Sequence, residues 1–476
     1  MNSKEQETND AQADVMISGA TVVTLNPARD MLRDASVVIQ GDRIVAVESD
    51  PARIAAWQAK RMIDGANKVV FPGLVNTHTH MFQSLLKGLG DDLGKKEWVQ
   101  QMTAPSSAHL TEDDCYVAAL LGCVEGLRTG TTTVLDYMYA HPQPFLADAV
   151  IRAFRETGIR GILARGYNNT GVENGLPPQV VQPVDLVMED IERLIETYHG
   201  TADGRIQVWV APNTIWGQTK EGILRGKELA VRRGVGMTMH VSETPWELEC
   251  SQRQFGQRDL PFLDSLGVLG PGFLAVHCVY LNERELRILK LRDVRVSHNT
   301  IANMYLSAGE APVPEMLMAG ITVGLGTDGA ASNNNLNMVQ LLKYTALLHK
   351  AMRRDPTVIT AEKVLEMATI DGARALSLDA EVGSIEVGKK ADLIVVDFRT
   401  PSTTPDHHPV STLVYSASGA EVKTVLVDGR VVVDEGRVCT VDEGEVLSEA
   451  TARAKSLARR AGTDHLARRE WRSMAI

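Results

Sequence analysis

The residues of this chain that could do chemistry begin with His78 and His80, two histidines one residue apart at the end of the apolar run 69–80. On a strand, alternate side chains share a face, so both imidazoles can address one ion. A pair alone does not separate a metal site from two surface histidines. Three later apolar runs also end in polar groups: one in His240 with Glu243 three positions on, one in His277, and one in Thr327 and Asp328. His240 or His277 taken singly is most simply a core histidine bonded to a backbone carbonyl, but four such strand ends together point to one shared centre. Several imidazoles and one carboxylate match a mononuclear Zn2+ or Fe2+ site that keeps a position for water. One divalent metal per subunit is therefore expected, bound by His78, His80, His240 and Asp328, with His277 either a further ligand or a group beside them. A bound metal lowers the pKa of its water toward neutrality. Hydrolysis at a ring carbon bearing an amine also needs a proton for the ring nitrogen and for the departing amine, and Glu243 suits that shuttle. Deaminases of nucleobases divide the work between a metal and a non-ligand glutamate in this way. The plainer role for Glu243 is a carboxylate beside the exposed N–H groups of a helix start.

These residues need a frame that brings distant strand ends together. Counting the strand before His78, eight strand signals lie in the middle of the chain; the others are 131–136, 161–165, 206–210, 235–240, 273–277, 294–298 and 321–326. Helical patterns separate most of them, notably 111–129, 219–233 and 282–291. Eight strand–helix units over about 300 residues suit a (β/α)8 barrel, whose strand ends ring one mouth. A doubly wound open sheet is the alternative, but it gives no reason for polar residues at so many strand ends. Outside this region, 15–25, 35–40 and 43–47 read as strands, as do 391–397 and a hairpin over 422–433 that turns at Asp428-Gly429. Each terminal set is small for a core of its own, so the two are expected to form one discontinuous β-sandwich. The expected division is a disordered start (1–14), sandwich (15–70), catalytic barrel (71–384), sandwich again (385–444) and a helical tail (445–476). Within the barrel, Thr360 caps a helix, without a full capping box because Glu362 follows by two positions rather than three.

Lys plus Arg total 49 against 60 Asp plus Glu, a net charge of −11, and aromatic residues make up only 5%. That balance disfavours a nucleic acid as the main partner and is compatible with a small neutral or cationic substrate. The five cysteines form no CxxC pair, which argues against a thiolate zinc site or disulfide framework. Neither a secretory signal nor a run of about 18 apolar residues is evident, so no membrane partner is expected and the cytoplasm is the default. A homo-oligomer is expected on general grounds.

Residues 76–80, 240–243, 275–278 and 326–333 together resemble the amidohydrolase superfamily. Residues 370–376, 383–393 and 425–429 extend the resemblance, which runs from about Val15 to Val433. Its branch holds S-adenosylhomocysteine and methylthioadenosine deaminases, guanine and 8-oxoguanine deaminases, and s-triazine hydrolases. The resemblance implies a β-sandwich from both termini around a (β/α)8 barrel, with metal on His78, His80, His240 and Asp328. It further implies that His277 orients the attacking water or joins the metal, that Glu243 shuttles protons, and that Asp328 doubles as a base.

Substrate choice rests on fewer residues. Gly329 follows the metal aspartate where atrazine chlorohydrolase carries asparagine and melamine deaminase aspartate, which resembles the adenosine-derivative deaminases. Gln83 pulls the other way, since guanine and triazine enzymes have a glutamine there and an amide can meet a ring edge with donor and acceptor together. Trp98 resembles a lid tryptophan stacking on an aromatic substrate. Arg165 could meet a substrate oxygen or pair with a barrel acid such as Asp136. Ser332 and Asn333 are candidate ring contacts, with a helix cap as their structural alternative; Asn213 and Trp216 occupy a loop that could line the mouth. The expected activity is hydrolytic deamination of a purine-like or adenosine-derived ring, with an s-triazine hydrolase as the alternative. Cyclic-amide hydrolases of this superfamily need a bridging carboxylated lysine, and the strands ending near Arg165 and Asn213 present none.

Overall fold

The computed structural model describes residues 11–468 and 473. Seventeen strands, β1 to β17 in chain order, form two sheets. The terminal sheet contains β1 (Ala11–Val23), β2 (Met31–Gln40), β3 (Arg43–Glu48), β4 (Trp57–Asp64) and β5 (Val69–Pro72) from the first part of the chain. From the last part come β14 (Leu393–Val396), β15 (Val422–Val427), β16 (Arg430–Asp434) and β17 (Arg437–Val438). Between them lies an all-parallel sheet of β6 (Leu74–Thr79), β7 (Thr131–Met138), β8 (Arg160–Tyr167), β9 (Ile206–Pro212), β10 (Met237–Val241), β11 (Phe273–His277), β12 (Arg295–His298) and β13 (Val323–Leu325).

The inner sheet is a (β/α)8 barrel, with the strands paired in sequence order. Its strands are almost wholly buried, as expected of parallel strands covered on both faces. Val75, Leu135, Tyr137, Ile162, Ala164, Trp209, Ala211 and Leu274 fill one interior cluster. Closure between β13 and β6 relies largely on side chains. Thr77 Oγ1 donates to Leu325 O (2.9 Å), Thr79 Oγ1 to Asp328 O (3.0 Å) and Asn76 Nδ2 to Thr327 Oγ1 (2.8 Å), beside one backbone bond from Asp328 N to His78 O (3.0 Å). Closure thus joins the strand carrying two metal-ligand candidates to the loop carrying a third.

The outer sheet is continuous, in the order β17-β16-β15-β14-β5-β1-β2-β3, and Ile17, Ile39, Val70, Leu393, Val395 and Leu426 from both ends of the chain share one core. It curls back on itself. A Cβ on Gly429, in the β15–β16 turn, would lie 2.2 Å from Gly41 O in the β2–β3 turn, an approach only glycine permits. The expected sandwich therefore has mixed pairing, because β1 runs parallel to both β4 and β5. Of the expected disordered start, residues 1–10 lie outside the described residues, and 11–14 are the first residues of β1, with Ala11 and Ala13 opposite Trp57 and Ala59. Their partner β4 is mostly exposed, and its apolar alternation stops after Lys60, so neither strand end announced itself.

The two units meet at a buried charge cluster on the barrel end opposite His78 and His80. Arg160, first residue of β8, donates to Asp392 through Nε (2.9 Å) and Nη2 (3.0 Å) and also bonds Asp428. Arg205 Nη1 reaches Asp428 Oδ2 at 3.3 Å, and Asp428 N donates to Asp392 Oδ1 at 2.9 Å. The tail helix, Glu443–Ala461, is capped by Asp442 and ties back through Arg453 and Arg460 to Asp113 and Asp114.

Candidate active site

Four strand ends of the barrel deliver five polar groups to one mouth. His78 and its neighbour His80 end β6, His240 lies in β10, His277 ends β11 and Asp328 follows β13. Ser242, His277, Cys278 and Asp328 all have positive φ, between 51° and 71°. Four non-glycine residues in this region on one rim store strain of about 1–3 kcal/mol each, a common feature of functional sites.

Asp328 Oδ1 is 3.3 Å from His78 Nε2 and 3.2 Å from His80 Nε2. His80 Nε2 and His240 Nε2 are 3.4 Å apart. Both rings are held from behind: His80 Nδ1 donates to Tyr137 O (2.7 Å) and His240 Nδ1 to Asn213 O (2.9 Å). A carbonyl only accepts, so each Nδ1 carries the proton and each Nε2 turns a lone pair inward. His277 Nδ1 likewise meets Asn303 Oδ1 at 2.9 Å, and His277 Nε2 has no hydrogen-bond partner. Burial drives the His78 imidazole down to about 3 and His240 well below its ordinary value, so protons do not offset these lone pairs at neutral pH. Burial pushes the Asp328 carboxyl up, but its close approach to the His78 and His80 rings outweighs this and holds it well below the usual range. Converging neutral imidazoles around an ionised carboxylate, all buried, fit a bound divalent cation. His78, His80 and His240 form one set of mutually close donors, and His78, His277 and Asp328 another.

Glu243 is fully buried beside this centre, with Oε2 at 3.4 Å from His277 Nε2 and 2.7 Å from Lys95 Nζ. Asp259 holds the turn between His240 and Glu243 by accepting from Ser242 Oγ (2.7 Å) and Ser242 N. Glu247 accepts from the backbone N–H of Glu243 (3.1 Å) and Thr244 (3.2 Å), and burial with the Glu243 charge raises its carboxyl to about 8.

A cavity opens onto the metal-ligand candidates of this centre. His80, His240 and Asp328 form its floor; Lys95, Trp98, Tyr139, Asn213 and Trp216 are among its walls. Trp98 therefore stands where a stacking residue is expected, with Nε1 tied to Ala331 O at 3.0 Å. Asn213 and Trp216 also line it. Gln83 is completely buried behind Tyr139, donating to its hydroxyl at 3.1 Å, and is not in the wall. Its amide fills the space beside Gly329, where a Cβ would fall 1.8 Å from Gln83 Oε1. Gln83 and Gly329, opposed as signals of substrate, are in contact in the fold.

Arg165 does not serve as a substrate contact. It has the opposite strand parity to the interior residues Ile162 and Ala164, so it points out to the helix layer. There it donates to Asp190 (2.8 Å) and Gln182 (3.1 Å), with no bond to Asp136. Ser332 and Asn333 are likewise used inside the loop rather than on a ring. Ser332 Oγ donates to Asp328 Oδ2 at 3.0 Å and Asn333 Nδ2 to Thr327 O at 2.9 Å, which fixes Asp328. Lys95, Tyr139, Asn168, Leu176 and Asn303 were not singled out from sequence, since each is an ordinary residue in a connecting segment.

The model of the amidohydrolase family matches residues 69–432, most of the chain. The chain belongs to the amidohydrolase family. A 5'-deoxyadenosine deaminase of Methanosarcina acetivorans is 39% identical over 449 residues, covering 94% of this chain and 99% of that protein. A 5-methylthioadenosine/S-adenosylhomocysteine deaminase of Pelotomaculum thermopropionicum is 38% identical, covering 94% and 100%. Among solved structures, an adenosine deaminase from Xanthomonas campestris with bound zinc superposes with a TM-score of 0.88 at 30% identity, covering 94% of this chain and 99% of that one. An atrazine chlorohydrolase from Arthrobacter aurescens, complexed with zinc, gives 0.86 at 27% identity, covering 92% and 100%.

Proposed function

We propose that this amidohydrolase is a metal-dependent deaminase that removes the ring amine of an adenosine derivative as ammonia, a hydrolysis of a C–N bond in a cyclic amidine. The observation that carries the substrate class is the near-full-length match, at 38–39% identity, to two proteins named for deamination of adenosine derivatives. The same reaction needs a cation site, a neighbouring proton carrier and a cavity for a ring, and the clustered histidines with Asp328, the adjacent Glu243 and the cavity at the barrel mouth support that reading.

His78, His80, His240 and Asp328 would hold a divalent cation, which when bound would lower the pKa of the attacking water toward neutrality. Zinc suits this donor set, as does Fe2+; zinc is favoured because both solved neighbours were crystallised with it. Asp328, held ionised, is the acceptor for a proton from the attacking water. His277, its Nδ1 fixed by Asn303, turns Nε2 toward Glu243 and orients the nucleophile. Glu243 passes the other proton of the attacking water to the ring nitrogen beside the reacting carbon, and the proton taken by Asp328 goes to the departing amine, which leaves as ammonia. Trp98 and Trp216 wall the cavity for the ring.

We place the protein in the cytoplasm as a homo-oligomer. Among the described residues no helix is long and apolar enough to cross a membrane, and Tyr344, Leu347 and Met352 are exposed on one helix, Met338–Arg353. An s-triazine hydrolase is the second reading, supported by the likeness to the chlorohydrolase fold. Incubation with 5'-deoxyadenosine, S-adenosylhomocysteine, guanine, melamine and atrazine, assayed for ammonia and chloride, tests the choice. Ammonia from an adenosine derivative is expected; chloride from atrazine without ammonia from any adenosine derivative overturns the proposal.

A further inference from the structure

The Glu243 carboxylate has a partner that comes from neither the ligand set nor a barrel strand. Lys95 opens the short helical turn Lys95–Trp98 in the segment that follows β6, and its Nζ lies 2.7 Å from Glu243 Oε2. The same oxygen faces His277 Nε2 at 3.4 Å. Its neighbour Lys96 is exposed, whereas the Lys95 side chain is only 12% exposed and lines the cavity. An ammonium withdrawn from water is costly unless paired, so the orientation of this turn is set by the contact it makes inside. Trp98 secures the turn, with its indole N–H on Ala331 O and its ring centroid 5.3 Å from Lys95 Nζ. Gly90 makes room for that indole, since a Cβ there would fall 2.5 Å from it. The other acids of the pocket are committed: Glu247 Oε2 takes two backbone N–H groups, and Asp328 faces His78, His80 and Ser332.

We infer that Lys95 is a positioning residue for proton transfer, its ammonium holding the Glu243 carboxylate in the rotamer that faces His277 and the reacting edge of the ring. The inference rests on the deaminase reading of Glu243. Lys95 keeps its own protons throughout; the proton that reaches the ring nitrogen comes from the attacking water by way of Glu243. The contact also ties the acid's orientation to the segment that walls the cavity, so the proton carrier is aligned when that segment is seated.

The test uses the metal-loaded enzyme with 5'-deoxyadenosine, followed by the ultraviolet change of the ring so that added amines do not interfere. Lys95→Met should lower kcat about 10–100-fold, the cost of misplacing a reacting group by about an ångström. KM should stay within about threefold, because the lost contact is with the acid and not with substrate. Metal content should be unchanged, Lys95→Arg should recover part of the rate, and methylammonium should restore Lys95→Ala in a saturable way. Wild-type kcat in Lys95→Met overturns the inference, as does a rise in KM alone, which would make Lys95 a substrate contact. Loss of rate that neither arginine nor methylammonium repairs also overturns it. Glu243→Gln separates the two levels. If that variant turns over normally, the role of Glu243 itself is wrong; if it is inactive while Lys95→Met is fully active, only the role of Lys95 fails.

Discussion

Replacing Gly329 with alanine tests whether Gln83 and Gly329 form one packed unit. Gly329 has φ −71° and ψ 151°, a conformation open to any residue, so backbone strain plays no part. The new Cβ would lie 1.8 Å from Gln83 Oε1 and 2.4 Å from its Cδ. Reaching a tolerable 3.0 Å requires the amide oxygen to retreat by 1.2 Å, the difference between the two distances. That movement breaks the hydrogen bond to Tyr139, worth about 0.5–1.5 kcal/mol, and forces an unfavourable rotamer at about 0.5–1.5 kcal/mol. Against this, alanine stiffens the unfolded chain by about 0.4–1 kcal/mol, leaving a net destabilisation of about 1–2 kcal/mol. Denaturant unfolding of the wild type, Gly329→Ala, Gln83→Ala and the double variant closes a cycle. With Gln83 cut back, Gly329→Ala should become neutral or slightly stabilising. Equal destabilisation by Gly329→Ala in both backgrounds would refute the contact.

Other perturbations follow from the buried charges. Arg160→Met leaves buried Asp392 without its ion pair, while Asp428 keeps Arg205, and should cost about 3–5 kcal/mol, read by denaturant unfolding; a loss below about 1 kcal/mol would contradict the clamp. Burial raises the Asp136 carboxyl to about 7, above its ordinary 3.8. The folded metal-free protein therefore keeps a proton that the unfolded chain releases, and stability falls as pH rises from about 4 to 7. Asp136→Asn, which cannot ionise but can still accept from Met81 N, should gain a few kcal/mol over wild type at about pH 8, and parallel pH profiles would refute this. Elemental analysis should find one metal per chain, and removing it with a chelator should lower the melting temperature, because a ligand that binds only the folded state stabilises it by linkage.

The barrel was legible because parallel strands buried on both faces are apolar runs, and the polar residues that interrupt their ends stand out against them. His240, Glu243, His277 and Asp328 are conspicuous for that reason. The hairpin at Asp428-Gly429 carries its turn chemistry in two adjacent residues. What escaped was set by tertiary direction. Arg165 sits at a strand end like a site residue, and only strand parity and Asp190 on the neighbouring helix show that it faces outward. Ser332 and Asn333 closely follow Asp328, where bonding within the loop and contact with a ring look alike in one dimension. Lys95 is one of two consecutive lysines, and nothing local tells which turns inward.

The central claim is that Glu243 carries protons at a metal centre it does not ligate. Glu243→Gln keeps the size and loses the acid, so the measurement is its turnover of 5'-deoxyadenosine together with its metal content. One metal per chain, as in wild type, is expected, with a rate reduced about 100–10,000-fold, the usual worth of general acid–base catalysis. Turnover comparable to wild type at full metal content would contradict it.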